Sequence, residues 1–136
     1  MTLIPEIHPN QSIALLKELH ILTRDGKLNQ DTRRKLKQVY HLYQFIEPLL
    51  QEVMQGNPSP MLVDHGAGKS YLGFILYDLF MKQQAAGQVV GVETRAELVE
   101  KSRQLASELG FARMQFHHLS VEDAMRSTAL PPKVEI

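Results

Sequence analysis

The residues best suited to chemistry lie in a short glycine-containing loop, residues 64–70 (DHGAGKS), directly after an apolar run. The end of this loop matches the end of the phosphate-binding pattern G-x-x-x-x-G-K-[ST]. The first glycine of that pattern would stand at position 63, where the chain has Val63. The loop is too short to surround a phosphate, and Asp64 would repel one. These residues argue against a nucleoside triphosphate site.

A dinucleotide site is the second candidate for the loop, because such sites use the pattern G-x-G-x-x-G. Gly66 and Gly68 supply the first two glycines of that pattern. The third position holds Tyr71, and Gly73 comes two residues late. Binding of NAD or FAD therefore stays an alternative that matches the loop poorly.

S-adenosylmethionine (SAM) makes different demands on the same loop, since it carries a cationic sulfonium, an ammonium and a carboxylate but no phosphate. An acid at the start of the loop can attract the cationic groups, and small residues let the backbone approach the ligand closely. The next helix offers amino-terminal N–H groups to the ligand carboxylate, and Ser70 can bond that carboxylate or cap the helix. The predicted contacts are Asp64, His65, Gly66, Ala67, Gly68 and Ser70.

A second acid, Glu93, ends the next apolar run, 25 residues after Gly68. A carboxylate there can accept hydrogen bonds from both ribose hydroxyls, at roughly 1.5–3 kcal/mol for each charge-assisted bond before desolvation is counted. NAD sites place an acid at the same position, so Glu93 alone does not discriminate. Its combination with the D-x-G-x-G loop favours SAM.

The amino-terminal part of the chain has the periodicity of helices. Apolar residues recur at helical spacing in residues 11–24 and 31–47, and Asp31 or Thr32 can cap the second helix. Pro48 removes one backbone donor, so we expect a kink or a restart there. The breaker QGNPSP at residues 55–60 divides a helical extension, 1–57, from the remainder, 58–136.

Residues 58–136 alternate between short apolar runs and helical segments. The runs begin at Met61, Gln88 and Met114, and a fourth starts at Val134. The helix between the second and third runs is expected to turn Leu98, Leu105 and Leu109 inward and to end at Gly110. This alternation predicts a parallel α/β sheet whose strands are buried on both faces.

Three segments resemble class I SAM-dependent methyltransferases: LVDHGAGKSYLGFILYDLF, VVGVETRAELVEKSRQLASELGF and MQFHHLSVEDA. More narrowly, RRKLKQVYHLYQFIEPLL upstream of the loop resembles a subgroup with a helical extension and a G-x-G-K-[SG]-[YF]-L loop. The resemblance implies a partial Rossmann-like sheet with strands in the order 3-2-1 and strand four only begun. It also implies SAM as cofactor, S-adenosylhomocysteine as product, and an unspecified methyl acceptor.

The resemblance also implies contacts to the adenine and ribose beyond the glycine loop. Many relatives carry an aspartate near the adenine amino group in the loop after strand three. Aligned on Phe116, that position is Ser120 here. The implied contacts are Thr94, Ser120, the backbone of Val121, and Glu122.

The family sheet has seven strands, and substrate and catalytic residues usually follow strand four, which is where this chain stops at Ile136. We therefore name no catalytic residue. We expect an enzyme if the full-length protein continues past Ile136. Otherwise we expect a non-catalytic SAM- or nucleotide-binding module, or half of a two-chain assembly. A homodimer or a missing carboxyl-terminal half would cover the open sheet edge.

Composition limits the partners of this chain. Lys plus Arg equals Asp plus Glu at 15 each, so no global field draws it to nucleic acid. The local cluster Arg33, Arg34, Lys35 and Lys37 is a candidate phosphate contact that favours RNA as acceptor, against the alternative of a solvated helix face. Cysteine is absent and no metal-ligand spacing is present, so we predict no metal site and expect a cytoplasmic protein without a membrane span.

Overall fold

The first helix is shorter than its apolar spacing predicts. The computed structural model describes Ile7 and residues 11–120, 122–123 and 134–135. Within them α1 spans Ile13–Glu18, and the Ser12 side chain accepts from the Leu15 amide at its start. The helix stops at Leu19 because the next residue, His20, takes a left-handed conformation with φ 58°. The predicted extension of this helix to residue 24 is therefore wrong.

The second helix, α2, spans Gln30–Gly56 and begins one residue before its predicted start. Its cap is Asn29, which exchanges two hydrogen bonds with Thr32, at 2.8 Å to Asn29 Oδ1 and 2.7 Å to Thr32 Oγ1. The prediction of Asp31 or Thr32 as the cap is wrong, because Asn29 precedes the helix and its side chain accepts from the Thr32 amide in the first turn. The helix continues through Pro48, so no restart occurs there.

The remaining elements form a four-stranded open sheet with helices between its strands. They are β1 (Met61–His65), α3 (Tyr71–Leu79), a short 3₁₀ helix (Met81–Gln83), β2 (Gln88–Glu93), α4 (Ala96–Leu109), β3 (Met114–His118) and β4 (Val134–Glu135). The strand order is β3-β2-β1-β4, and every neighbouring pair is parallel. The predicted partial Rossmann-like sheet, with order 3-2-1 and the beginning of a fourth strand, is confirmed.

The strand register brings the carboxyl ends of the three long strands to one edge. Asp64 of β1 lies opposite Gly91 of β2, and Glu93 of β2 lies opposite His118 of β3. The apolar residues before these ends are fully buried, as expected for strands covered on both faces. Both predicted acids therefore stand at the same edge of the sheet, just beyond its core.

Helix α4 turns a different face inward than its leucines predict. Val99, Ser102 and Ala106 are buried, whereas the residues expected inside are only half-buried: Leu98, Leu105 and Leu109. Small side chains on the inner face let a helix approach its neighbours closely, and Ser102 bonds to Ser70 at 3.1 Å. Gly110 ends the helix in a left-handed conformation, as predicted.

The chain divides into two compact units, Met1–Leu49 and Leu50–Ile136. In the first unit the Tyr40 hydroxyl hydrogen-bonds to Gln11 Oε1. The sheet belongs entirely to the second unit. The expected domain boundary after residue 57 stays a prediction. Among the described residues, none of the helices combines the length and the hydropathy that crossing a bilayer requires.

Candidate functional site

The loop between β1 and α3 is held in a tight bend by left-handed backbone conformations. Gly66 has φ 67° and Gly68 has φ 61°, a region that glycine occupies without strain. The Ala67 amide between them donates to the Val92 carbonyl at 3.0 Å. This bond fixes the middle of the loop to the end of β2.

Glu93 is the centre of a hydrogen-bond network at the end of β2. Its side chain is 7% exposed, and its Oε1 accepts from the Gly68 amide at 3.0 Å. Its Oε2 accepts from the Arg95 amide at 2.8 Å and from Arg95 Nε at 2.9 Å. The carboxylate therefore joins the tip of the glycine loop to the segment that starts α4.

The charge of Glu93 is fixed by these donors. Hydrogen bonds from the Arg95 side chain and amide, with a smaller contribution from the Gly68 amide, lower the pKa of Glu93 to about 2. Burial acts in the opposite direction and is outweighed. At neutral pH this side chain is a carboxylate that only accepts hydrogen bonds.

The loop is packed on one side and open on the other. A Cβ added at Gly91 of β2 would lie 2.9 Å from the Phe116 ring and 3.4 Å from Ala67 Cβ, so only glycine fits beneath the loop. A Cβ added at Gly66 would meet no atom within 4 Å. The bend thus leaves a space against its own main chain.

Asp64 is the second-last residue of β1, two residues before Gly66, and is half-buried. Burial raises the pKa of Asp64 above its ordinary value, and the neighbouring His65 opposes the change. His65 and Ala67 are also half-buried, whereas Gly66 is exposed. The loop therefore combines a partly desolvated acid with accessible backbone.

Ser70 does not take the capping role that the sequence allowed for it. Its side chain makes no capping hydrogen bond to α3, so the capping alternative is wrong. The hydroxyl is buried and lies 3.1 Å from Ser102 Oγ. Its left-handed φ of 65° explains the failed cap, because capping residues take extended conformations. Contact between Ser70 and a ligand carboxylate stays a prediction, which this orientation disfavours.

The residues after β3 are joined to the same site through the backbone. The Leu119 amide donates to the Glu93 carbonyl at 3.1 Å, and His118 Nε2 lies 2.8 Å from the Thr94 carbonyl. Thr94 is exposed, and its hydroxyl lies 3.4 Å from Glu93 Oε2. The predicted ribose acid, Thr94 and the segment before residue 120 are therefore brought together.

The predicted adenine contacts are placed less fully. Ser120 Oγ accepts from the Asp123 amide at 3.0 Å and so begins the short helical turn at residues 122–123. Glu122 is exposed, and Val121 lies outside the described residues. The adenine role of all three stays a prediction.

Arg95 is the site residue that sequence reasoning missed. Its guanidinium bonds Glu93 and lies near Gly68, since a Cβ added there would be 3.7 Å from Arg95 Nη2. A cation two residues after a strand-end acid was the available signal. In the described part of the chain, no cluster of three or more His, Asp or Glu residues could hold a metal ion.

The arrangement suits a hydroxyl-bearing ligand with cationic groups rather than a polyphosphate. In a phosphate-binding loop, successive amides converge on the anion. Here the Gly68 amide is directed to Glu93 and the Ala67 amide to the Val92 carbonyl. The acceptor-only carboxylate and the half-buried acid then define the chemistry of the open space beside Gly66.

A family model described as "Methyltransferase domain" matches residues 34–136. No curated protein sequence is similar enough to count as a match. Among solved structures, the C-terminal domain of precorrin-6Y C5,15-methyltransferase from Rhodobacter capsulatus is 23% identical, with a TM-score of 0.41, and the match covers 54% of this chain and 37% of that chain.

Two further structures contain S-adenosyl-L-homocysteine. An RNA methyltransferase from Salinibacter ruber is 22% identical over 56% of this chain and 49% of its own, with a TM-score of 0.38. A putative protein-L-isoaspartate O-methyltransferase from Plasmodium falciparum is 17% identical over 82% of this chain and 64% of its own, with a TM-score of 0.42. This chain spans less than two thirds of the length of each of these structures.

Proposed function

The chain belongs to the methyltransferase domain family, and on that premise we propose that its sheet edge binds SAM as the cofactor of a methyltransferase. The observation that carries this proposal is the bond from the Gly68 amide to Glu93 Oε1. It directs the loop amide to the chain's own carboxylate instead of to a ligand phosphate, and it holds that carboxylate beside the open bend.

The residues of this chain fit the ribose hydroxyls and the cationic groups of SAM. Glu93 would accept hydrogen bonds from the ribose hydroxyls, because it is ionised and bears no donor of its own. Asp64 would attract the cationic groups, and the space beside Gly66 would admit the ligand against the main chain.

Bound SAM supplies an electrophilic methyl group, and the share of this chain is to bind and orient the cofactor. Methyl transfer itself is a proposal for the whole protein, since this chain spans less than two thirds of the solved structures described above. An enzyme and a non-catalytic SAM-binding protein would use the same edge of the sheet. The narrower subgroup, with its helical extension and G-x-G-K-[SG]-[YF]-L loop, also stays a proposal.

We further propose RNA as the methyl acceptor, through basic residues at the start of α2. An open groove of about 740 Å³ is lined there by Arg33, Arg34 and Lys37, with polar neighbours. Asp31 pairs with Arg34 at 2.5 Å and with Lys35 at 3.3 Å, so two of the predicted cations are partly neutralised. The proposed contacts to phosphate are the basic side chains that line this groove.

Isothermal titration of the wild-type chain with S-adenosylhomocysteine, NAD⁺ and ATP tests the cofactor proposal. We expect saturable heat with S-adenosylhomocysteine and none with ATP at the same concentration. Tighter binding of NAD⁺ than of S-adenosylhomocysteine would show that the site is a dinucleotide site instead. Circular dichroism should first establish that the protein is folded, so that an absence of heat is informative.

A further inference from the structure

The carboxylate of Glu93 already accepts bonds from backbone amides, from a guanidinium and from the Thr94 hydroxyl, which lies 3.4 Å from Oε2. The amides of Gly68 and Arg95 donate at 3.0 Å and 2.8 Å, and they belong to backbone that is fixed by the loop and the start of α4. The guanidinium of Arg95 donates through Nε at 2.9 Å, with Nη2 3.4 Å from Oε1. The Arg95 side chain is 60% exposed, so its guanidinium can move into water.

Two ribose hydroxyls need acceptor positions on the same carboxylate. A carboxylate offers about four lone-pair sites. The two amides occupy one site on each oxygen, and the guanidinium, with the more distant Thr94 hydroxyl, occupies or crowds the others. A diol can therefore bond to Glu93 only when the guanidinium leaves.

On the basis of the proposed function, we propose that Arg95 is a specificity-determining residue whose guanidinium stands in for the ribose diol and is displaced by it. The amides stay in place and keep the carboxylate ionised and oriented. Ligands with a vicinal diol exchange with the guanidinium, whereas ligands without one leave it on Glu93. Arg95 thus lowers the affinity for nucleosides that carry the diol, and with it the preference for them over nucleosides that lack it.

The position of the guanidinium supports displacement rather than joint binding. It lies beside the open bend, where a Cβ on Gly68 would be 3.7 Å from Nη2. The ribose hydroxyls of a ligand lying against this loop would meet the guanidinium directly. Release then exposes a cation that is already largely hydrated, so the exchange costs little.

The test compares adenosine with 2′,3′-dideoxyadenosine by isothermal titration, using wild type, Arg95→Gln and the control Lys101→Gln. Both variants remove one positive charge, and Lys101 is exposed on α4. Residue 95 keeps its amide in the variant, so Glu93 retains both backbone donors. We expect Arg95→Gln to bind adenosine about two- to fivefold tighter, which is the range of an exposed ion pair. The affinity for dideoxyadenosine should not change.

A salt titration gives a second readout that needs no variant. Because adenosine is neutral, salt acts on its binding mainly by screening the ion pair between Arg95 and Glu93. Adenosine binding to wild type should strengthen with rising salt concentration, and binding to Arg95→Gln should not.

Each contrary result has its own meaning. Weaker adenosine binding by Arg95→Gln would show that the guanidinium is a ligand contact, and equal binding would show that it does not compete. Either result overturns the inference and leaves the proposed function standing. If wild type binds neither S-adenosylhomocysteine nor adenosine at any salt concentration, the proposed function is wrong and so is this inference.

Discussion

The Gly68 amide and Glu93 Oε1 are joined by a 3.0 Å hydrogen bond that spans 25 residues of sequence. The bond links the tip of the loop after β1 to the end of β2. It gives one carboxylate two functions, since Glu93 braces the glycine loop and also presents acceptor positions at the edge of the sheet. The stability of the loop and its ligand chemistry are therefore coupled through a single side chain.

Replacing Glu93 by glutamine should make the free energy of unfolding less dependent on pH in the acid range. The pKa of Glu93 in the folded chain is about 2, below the ordinary value of 4.5. The unfolded chain therefore takes up this proton first, and the contribution of Glu93 to stability is lost as pH falls from 4.5 to about 2.

At neutral pH we expect Glu93→Gln to lower the free energy of unfolding by about 1–3 kcal/mol. The glutamine NH₂ group cannot accept the hydrogen bonds that one carboxylate oxygen accepts in wild type. Urea unfolding from neutral pH to about pH 3 measures both effects. The gap between wild type and variant should narrow toward acid, with the exposed Glu108→Gln as control. A gap that stays constant with pH would contradict the account.

Replacing Gly91 by alanine should disturb the packing beneath the loop. The added methyl would lie 2.9 Å from the Phe116 ring and 3.4 Å from Ala67 Cβ. Overpacking of this kind costs about 1–3 kcal/mol. Thermal unfolding should therefore show a lower Tm, together with weaker binding of S-adenosylhomocysteine.

Gly56→Ala is the matched control for this prediction. A Cβ there meets nothing within 4 Å, and the residue ends α2. We expect its Tm to be unchanged or slightly raised, because alanine restricts the unfolded chain. If Gly91→Ala were as stable as Gly56→Ala, the close approach of the loop to β2 would be wrong.

The sequence was sufficient for the parallel sheet and for the acids at its edge. Apolar runs of strand length and the resemblance fixed the strand order, and strand ends in a parallel sheet must share one edge. The inner face of α4 was not predictable from periodicity, because Ser102 is buried against Ser70, the residue that precedes α3. Arg95 was missed because a contact made by one exposed side chain leaves no periodic signal.

Replacing Asp64 by asparagine should separate the binding of SAM from that of S-adenosylhomocysteine. Only SAM carries the sulfonium charge, so the variant should lose about five- to tenfold in affinity for SAM and less for S-adenosylhomocysteine. Titration of both ligands gives the ratio. If the ratio of the two affinities is the same in Asp64→Asn as in wild type, Asp64 does not interact with the sulfonium of the cofactor.

The same residue predicts a pH dependence with a definite sign. Because burial raises the pKa of Asp64, its negative charge is lost at a higher pH than for an ordinary aspartate. Wild-type affinity for SAM should weaken as pH falls through that raised pKa, and Asp64→Asn should not follow. The ionised form is the less stable one when folded, so the variant should show no loss of Tm at neutral pH.

The RNA proposal predicts that the salt dependence of RNA affinity decreases when Arg33 and Lys37 are replaced. Each phosphate contact to single-stranded RNA adds about 0.7 to the slope of log affinity against log salt concentration. Replacing Arg33 and Lys37 by glutamine should lower the slope for a short uridine oligomer by about 1.4. Lys101→Gln, which is exposed on α4, should leave it unchanged. Equal slopes for wild type and the double variant would contradict RNA binding at this groove.

The most direct test of the account is the affinity of S-adenosylhomocysteine for Glu93→Ala, measured by isothermal titration beside wild type and Glu108→Ala. Each variant loses one carboxylate, and circular dichroism establishes that each is folded. Loss of two charge-assisted bonds predicts about a 100-fold weaker affinity for Glu93→Ala. The affinity of Glu108→Ala should equal that of wild type. Wild-type affinity in a folded Glu93→Ala chain would show that the cofactor does not bind at this edge of the sheet.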